Sequence, residues 1–165
     1  MSVVRGTALS NYPGLVAELG GDPAALLRAA GIRDQDVGSY DAFIPIRAGM
    51  QAIETAAEAT ATPDFGRQLA QRQGIEILGP VGVAARTAAT VADALAIFTM
   101  FMAAYSPAIA LYIRAPADPQ RSFIALELLV DEATPCPQTV ELALGVSLQV
   151  FRLLLGENYS ALSVH

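Results

Sequence analysis

The chain has 165 residues, 53% of them hydrophobic, and a formal net charge of −6 at pH 7. That length suits one domain, with apolar side chains enough for a substantial core. Its ten basic residues are all arginines scattered singly, so it lacks the clustered basic surface that nucleic-acid binding requires.

Tyr12–Leu19 reads as a short helix stopped by Gly20-Gly21. Asp22-Pro23 supplies the N-cap and first-turn proline of a second, Ala24–Ala30, closed by Gly31. The pair imitates a helix-turn-helix, but a recognition helix needs basic or amide side chains facing a groove. This one offers only Arg28 among alanines and leucines, so packing is its expected role. Residues 33–40 are a polar loop, and Asp41–Ile44 is a brief extended entry to Pro45. Ile46, Met50, Ile53 and Ala57 then recur at helical spacing, with Arg47, Gln51, Glu54 and Glu58 on the wet side. In Thr62-Pro63-Asp64-Phe65, Thr62 is expected to cap a helix that begins at Pro63, with Phe65 and Leu69 on its buried side. Leu78-Gly79-Pro80-Val81-Gly82 reads as a turn.

Thr90-Val91-Ala92-Asp93 has the pattern of a capping box opening a helix through Tyr105. Val91, Leu95, Phe98, Met102 and Tyr105 form one stripe, while Ala96, Ile97, Met100 and Phe101 make the opposite side apolar too. A helix apolar all round is expected to be buried all round, as the spine of the domain. Ala94–Ile113 carries no charge over twenty residues, long enough for a bilayer span. Pro107 and the change to a period of two argue instead for a helix followed by a strand.

In that strand Ile109, Leu111 and Ile113 face one way, and Ala110, Tyr112 and Arg114 the other. A turn at Pro116–Gln120 leads to a second strand, Ser122–Val130, completing an antiparallel hairpin. Its Ile124, Leu126, Leu128 and Val130 oppose Phe123, Ala125, Glu127 and Leu129, and two greasy faces imply cover on both sides. Thr134–Pro137 breaks the chain before a helix over Gln138–Leu155, with Val140, Leu144, Leu148, Phe151 and Leu155 as its core stripe and Gly156 as its stop. Ser160–His165 begins another alternating segment, read as a strand cut short by truncation.

Chemistry-bearing residues are sparse. One histidine, His165, at the last position, and one cysteine, Cys136, between prolines, give neither a nucleophile–base pair nor a zinc set, so no catalysis, metal or cofactor is expected. The single cysteine and the lack of an apolar signal in residues 1–10 fit a reducing cytoplasm. Carboxylates such as Asp22, Glu54, Glu58, Asp64 and Asp93 fall at helix starts and on wet faces. What remains is a pocket wall: Phe98, Met100, Met102 and Tyr105 on the spine, with Tyr112, Arg114 and Glu127 on the hairpin, of which all but Met100 make the candidate effector site. The same stripe also reads as plain core. Glu127, sharing a face with Phe123 and Leu129, either finds a partner in Arg86, Arg114 or a ligand amine, or reaches water from an edge.

The ordered series Pro63–Gly66, Leu69-Ala70, Gly74, Leu78–Pro80, Gly82, Ala84, Ala89-Thr90 and Ala94-Leu95 resembles the N-terminal regulatory, arabinose-binding-like domain of AraC-type transcription regulators. Within them it is similar to the subfamily of ornithine-utilisation and mycobacterial virulence regulators. The resemblance implies an effector-sensing, homodimer-forming domain over residues 1–165, shortened at its C-terminal end. Contact with DNA would run only through a helix-turn-helix domain absent from this chain, and no membrane is implied. A ligand-free dimerisation module is the alternative. The expected fold class is α+β, mainly helical with a small antiparallel sheet, not a cupin-like β-barrel, because strand runs are too few.

Overall fold

A computed structural model of the chain describes residues 2–114, 122–130 and 135–164. The hairpin turn expected at 116–120, Thr134 and His165 lie outside the described residues. Within them the fold is α+β, 57% helical, with seven α-helices, two small antiparallel sheets and no closed barrel.

The first sheet pairs β1 (Val3–Arg5) with β2 (Phe43–Pro45), Val4 standing opposite Ile44. Between them lie α1 (Tyr12–Glu18) and α2 (Pro23–Ala29). The Asp22 carboxylate caps α2 by accepting from Ala25 N–H at 3.1 Å, as the Asp-Pro pair predicts. Next comes α3 (Ile46–Ala59), whose Ile46, Met50, Ile53 and Ala57 stripe is buried as its spacing requires. It is followed by α4 (Phe65–Ala70). Tyr12 and Phe65 are fully buried and meet edge-to-face at 5.8 Å, and the Tyr12 hydroxyl donates to Ala52 C=O at 3.0 Å. That ring pair joins α1, α3 and α4 into the N-terminal core.

Thr62 does not cap α4. Its hydroxyl is turned back to Thr60, and the helix starts two residues later than Pro63. The glycine-proline stretch after it is more than a turn: α5 runs Pro80–Arg86, with Gly79 at φ +57° ahead of it. A Cβ on Gly79 would lie 2.2 Å from the Tyr40 ring, so both conformation and space require glycine.

The second long helix is α6 (Val91–Tyr105). Thr90 Oγ1 accepts from Asp93 N–H at 3.1 Å, but Asp93 answers to the Thr90 hydroxyl at 2.7 Å instead of closing the box on backbone. The expectation of all-round burial is corrected here. Ala94, Phe98, Met102 and Tyr105 are buried, whereas Met100 is 70% and Phe101 48% exposed. The helix covers the core from one side, and among the described residues its Met100–Phe101 side is left exposed. At fifteen residues it reaches about 22 Å, short of a bilayer core, before the chain turns into strand at Ile109.

That strand, β3 (Ile109–Arg114), pairs antiparallel with β4 (Phe123–Leu128), with Ile109 opposite Leu128 and Leu111 opposite Leu126. Among the described residues, cover on both faces is not found: Tyr112 and Phe123 are exposed on the outward one. The chain closes with α7 (Pro137–Leu155), stopped by Gly156 at φ +107°. By length and composition alone α7 is apolar enough to cross a membrane, yet it packs along α4 and α3. Its inward face is not the expected stripe. Leu142 and Val150 are buried, while Val140, Leu144 and Leu155 are exposed. Close approach to α4 sets the phase. A Cβ on Gly66 would sit 1.9 Å from Gln138 O, and one on Gly145 would sit 2.5 Å from Ala70 Cβ. Small residues, not the largest ones, therefore face the partner helix. Beyond α7 the described residues 160–164 are exposed and form no strand.

Candidate effector cavity

The N-terminal core and the C-terminal hairpin do not close on each other completely. Between them lies a cavity of about 150 Å³. Its floor is Val4 and Leu9 with Ile46, Met50 and Ile53 of α3, and one wall is Leu95, Phe98, Met102 and Tyr105 of α6. The inner face of β3–β4 (Ile109, Leu111, Leu126, Leu128) and the Leu142–Val146–Val150 side of α7 complete it. The lining is almost wholly aliphatic and aromatic, and no charged side chain takes part.

Of the residues singled out from sequence, Phe98, Met102 and Tyr105 come together in this lining, while Met100 of the expected wall faces outward. Tyr112, Arg114 and Glu127 do not join the lining. The register sets them opposite Ala125, Phe123 and Ala110, all on the outward side of the sheet, and all three are exposed. Alternation separated the two faces of the hairpin correctly without saying which one met the core. Burial drives the phenol of Tyr105 well above its ordinary value, with Tyr40 adding to the effect, so the cavity wall stays neutral.

Two polar devices hold the cavity walls. Arg5 donates to Tyr40 C=O at 2.9 Å and to Ala104 C=O at 3.0 Å, and its guanidinium stacks 3.8 Å from the Phe43 ring centroid. Nearby, the Ser106 hydroxyl donates to Val3 C=O at 2.7 Å. Together they bind the end of α6 to β1. At the other end, Glu54 of α3 accepts from Thr139 N–H at 2.9 Å, Thr139 Oγ1 at 3.1 Å and Gln138 N–H at 3.3 Å. Cys136, the residue before α7, contributes no side-chain cap, so a carboxylate from another helix does that work. The Cys136 thiol is raised above its usual value, first by burial and second by the charge of Glu54.

Sequence reasoning missed Gln73, which lines the cavity while 4% exposed. Nothing marked it in Gln71-Arg72-Gln73-Gly74, a polar stretch of ordinary loop composition. Among the described residues no group of three or more His, Cys, Asp or Glu side chains gathers as a metal site would.

The cavity is thus aliphatic and lies between a helical core and a small hairpin. The chain belongs to the arabinose-binding N-terminal domains of AraC transcription regulators: the family model described as "Arabinose-binding domain of AraC transcription regulator, N-term" matches residues 20–165. It is 36% identical, over 157 residues, to the HTH-type transcriptional regulator VirS of Mycobacterium tuberculosis strain CDC 1551 / Oshkosh. The VirS of strain ATCC 25618 / H37Rv matches equally. The aligned region is 94% of this chain and 46% of each relative, so the chain spans about half their length.

Proposed function

We propose that this chain is the effector-sensing and dimer-forming part of a bacterial, cytoplasmic AraC-type regulator. A small molecule enters the cavity and favours one arrangement of α6, α7 and the hairpin. That preference alters how two copies sit together, and so how DNA-binding domains outside this chain meet their sites. The observation that carries the reading is the cavity itself, since interiors are ordinarily close-packed and a void this size gives up contacts unless something fills it. The homodimer rests on a separate observation, the uncovered Met100 and Phe101 on the outer side of α6.

Thermal-shift screening against a metabolite library tests the sensor. A compound present at a hundred times its dissociation constant stabilises by about 2.7 kcal/mol, a rise of about 5–10 °C for a chain of this size. The same compound should fail on Val146→Phe, which fills the cavity. A second reading, a dimerisation module without effector, draws on the exposed α6 face alone. It would prevail if no compound shifts the melting point while light scattering shows a dimer that Phe101→Glu dissociates.

A further inference from the structure

The cavity is not sealed but opens to solvent. The hairpin packs on α6 rather than on α7, yet residues of both line the cavity, which places the opening between them. On the hairpin side Leu126 belongs to the lining and is 36% exposed. Its diagonal neighbour Ile113, on the same face as Leu111, is exposed as well. On the α7 side Ala143 and Ser147 line the cavity, and the residues one turn before them, Val140 and Leu144, are exposed. Apolar surface therefore runs on from the lining to the rim on both sides.

Inside, no lining residue is charged, so a carboxylate or ammonium group would find no compensation for leaving water. The four polar side chains of the lining have little to offer. Gln73 Nε2 donates to Ala8 C=O at 3.1 Å and Ser10 C=O at 2.8 Å, and its Oε1 is enclosed by protein. Thr139 Oγ1 donates to Glu54 Oε1 at 3.1 Å, and Ser147 Oγ to Ala143 C=O at 2.8 Å. The Tyr105 hydroxyl has no partner among the described residues, but Tyr105 is only 5% exposed, so little of it is left for a ligand to touch. A hydroxyl carried inside would thus give up its water for at most one partner, whereas at the rim it keeps that water. An aliphatic cavity of about 150 Å³ takes about six carbon atoms, as one ring or a short alkyl chain.

We infer that the cavity is the tail site of an amphipathic effector. An alkyl or aryl end of about six carbon atoms fills it, and the polar head stays in water at the rim, between Leu126 and Leu144. The inference rests on the sensing role proposed above and adds the chemical class of the effector to it. It also separates this domain from the sugar in its family's description, since a sugar has no apolar end to insert.

The test uses the protein labelled with carbon-13 at its methionine methyl groups. Met50 and Met102 line the cavity, and Met100, exposed on the outer side of α6, serves as an internal control. Butanol, hexanol and octanol, each a straight chain with a terminal hydroxyl, should move Met50 and Met102 but not Met100. Each CH₂ up to hexanol should tighten binding about fourfold, and each one beyond it by less than about twofold. Heptanoate has the same six-carbon tail with its charge at the rim, and should bind within about tenfold of hexanol. 1,6-Hexanediol must bury a hydroxyl whichever end enters, and should bind about tenfold weaker than hexanol or worse. Arabinose should move neither reporter. Affinity that ignores chain length, or heptanoate weaker than its limit, overturns the inference. So does a diol tighter than its limit, which would give the buried hydroxyl to Tyr105, and so does arabinose at the two reporters. In Val146→Phe, which fills the cavity, hexanol should no longer move Met50 and Met102, and shifts that persist there overturn the tail site. Should that variant not fold, the wild-type series decides by itself. If no compound moves the reporters the tail site falls, while the sensing role is still judged by the metabolite screen.

Discussion

Replacing Glu54 by alanine tests whether α7 is held in place by a carboxylate of α3. The variant leaves the first two amides of α7 without their acceptor, and neither Cys136 nor Pro137 can substitute. The 2.9 Å bond from Thr139 N–H is charge-assisted and contributes about 1.5 kcal/mol. The longer bonds from Gln138 N–H and Thr139 Oγ1 are together worth about 0.5 kcal/mol, and the favourable position of a negative charge at the helix start adds about 0.5 kcal/mol. The expected loss is therefore about 2.5 kcal/mol. Glu54→Gln keeps one acceptor for Thr139 N–H and should lose about 1 kcal/mol. Urea unfolding followed by circular dichroism reads both, and with a slope of about 2 kcal/mol/M the alanine midpoint should fall by about 1 M. Glu58→Ala, on the exposed side of the same helix, controls for helix propensity and should stay within about 0.5 kcal/mol of wild type. A Glu54→Ala midpoint no lower than that of Glu58→Ala would refute the assignment.

Gly66→Ala should destabilise by about 2–3 kcal/mol, or roughly 5–10 °C in melting temperature, because the added methyl would overlap Gln138 O. Helix propensity alone predicts the opposite sign, a gain of up to about 1 kcal/mol, so calorimetry of this one variant separates contact from propensity. Thr90→Ala should cost about 1 kcal/mol in chemical denaturation through loss of the α6 N-cap. Cys136 should be alkylated by iodoacetamide with a rate midpoint at higher pH than a free cysteine, since burial and Glu54 both disfavour its thiolate. Glu54→Gln should bring that midpoint part of the way back, and no movement would leave burial as the whole cause.

Most of what was legible was local, although the local cap signal at Thr62 failed, its hydroxyl turning back to Thr60. Asp22 and Thr90 cap the helices they precede, and Gly156 ends the last one, because a cap depends on four or five consecutive residues. The amphipathic α3 was equally plain, its wet and buried sides differing in polarity. Helices α6 and α7 were located but not phased. When nearly every side is apolar, periodicity carries no direction, and the inward face is chosen by tertiary fit such as Gly66 against Gln138. β1 escaped notice because its three residues gain meaning only from a partner strand far along the chain. α5 was hidden because Gly79-Pro80 signals a break and a helix start with the same two residues. The candidate site divides in the same way. The α6 residues Phe98, Met102 and Tyr105 follow from their helical stripe, whereas the inward face of the hairpin is set by how the sheet docks. Gln73 left no trace in the pattern, since an amide becomes exceptional only once its surroundings have excluded water.

The tie between Arg5, Ser106 and the first strand has a mechanical corollary. Val3–Arg5 and the last turn of α6 form one hydrogen-bonded corner, although about a hundred positions separate them in the chain. A guest wedged against Phe98 and Met102 would tilt that corner as a unit, since bending within it would tear away two backbone carbonyl contacts and a cation stacked on rings. Strain produced in the interior would thereby reach β1. A fluorophore attached at Ser2 would be well stationed to sense an occupant it never touches.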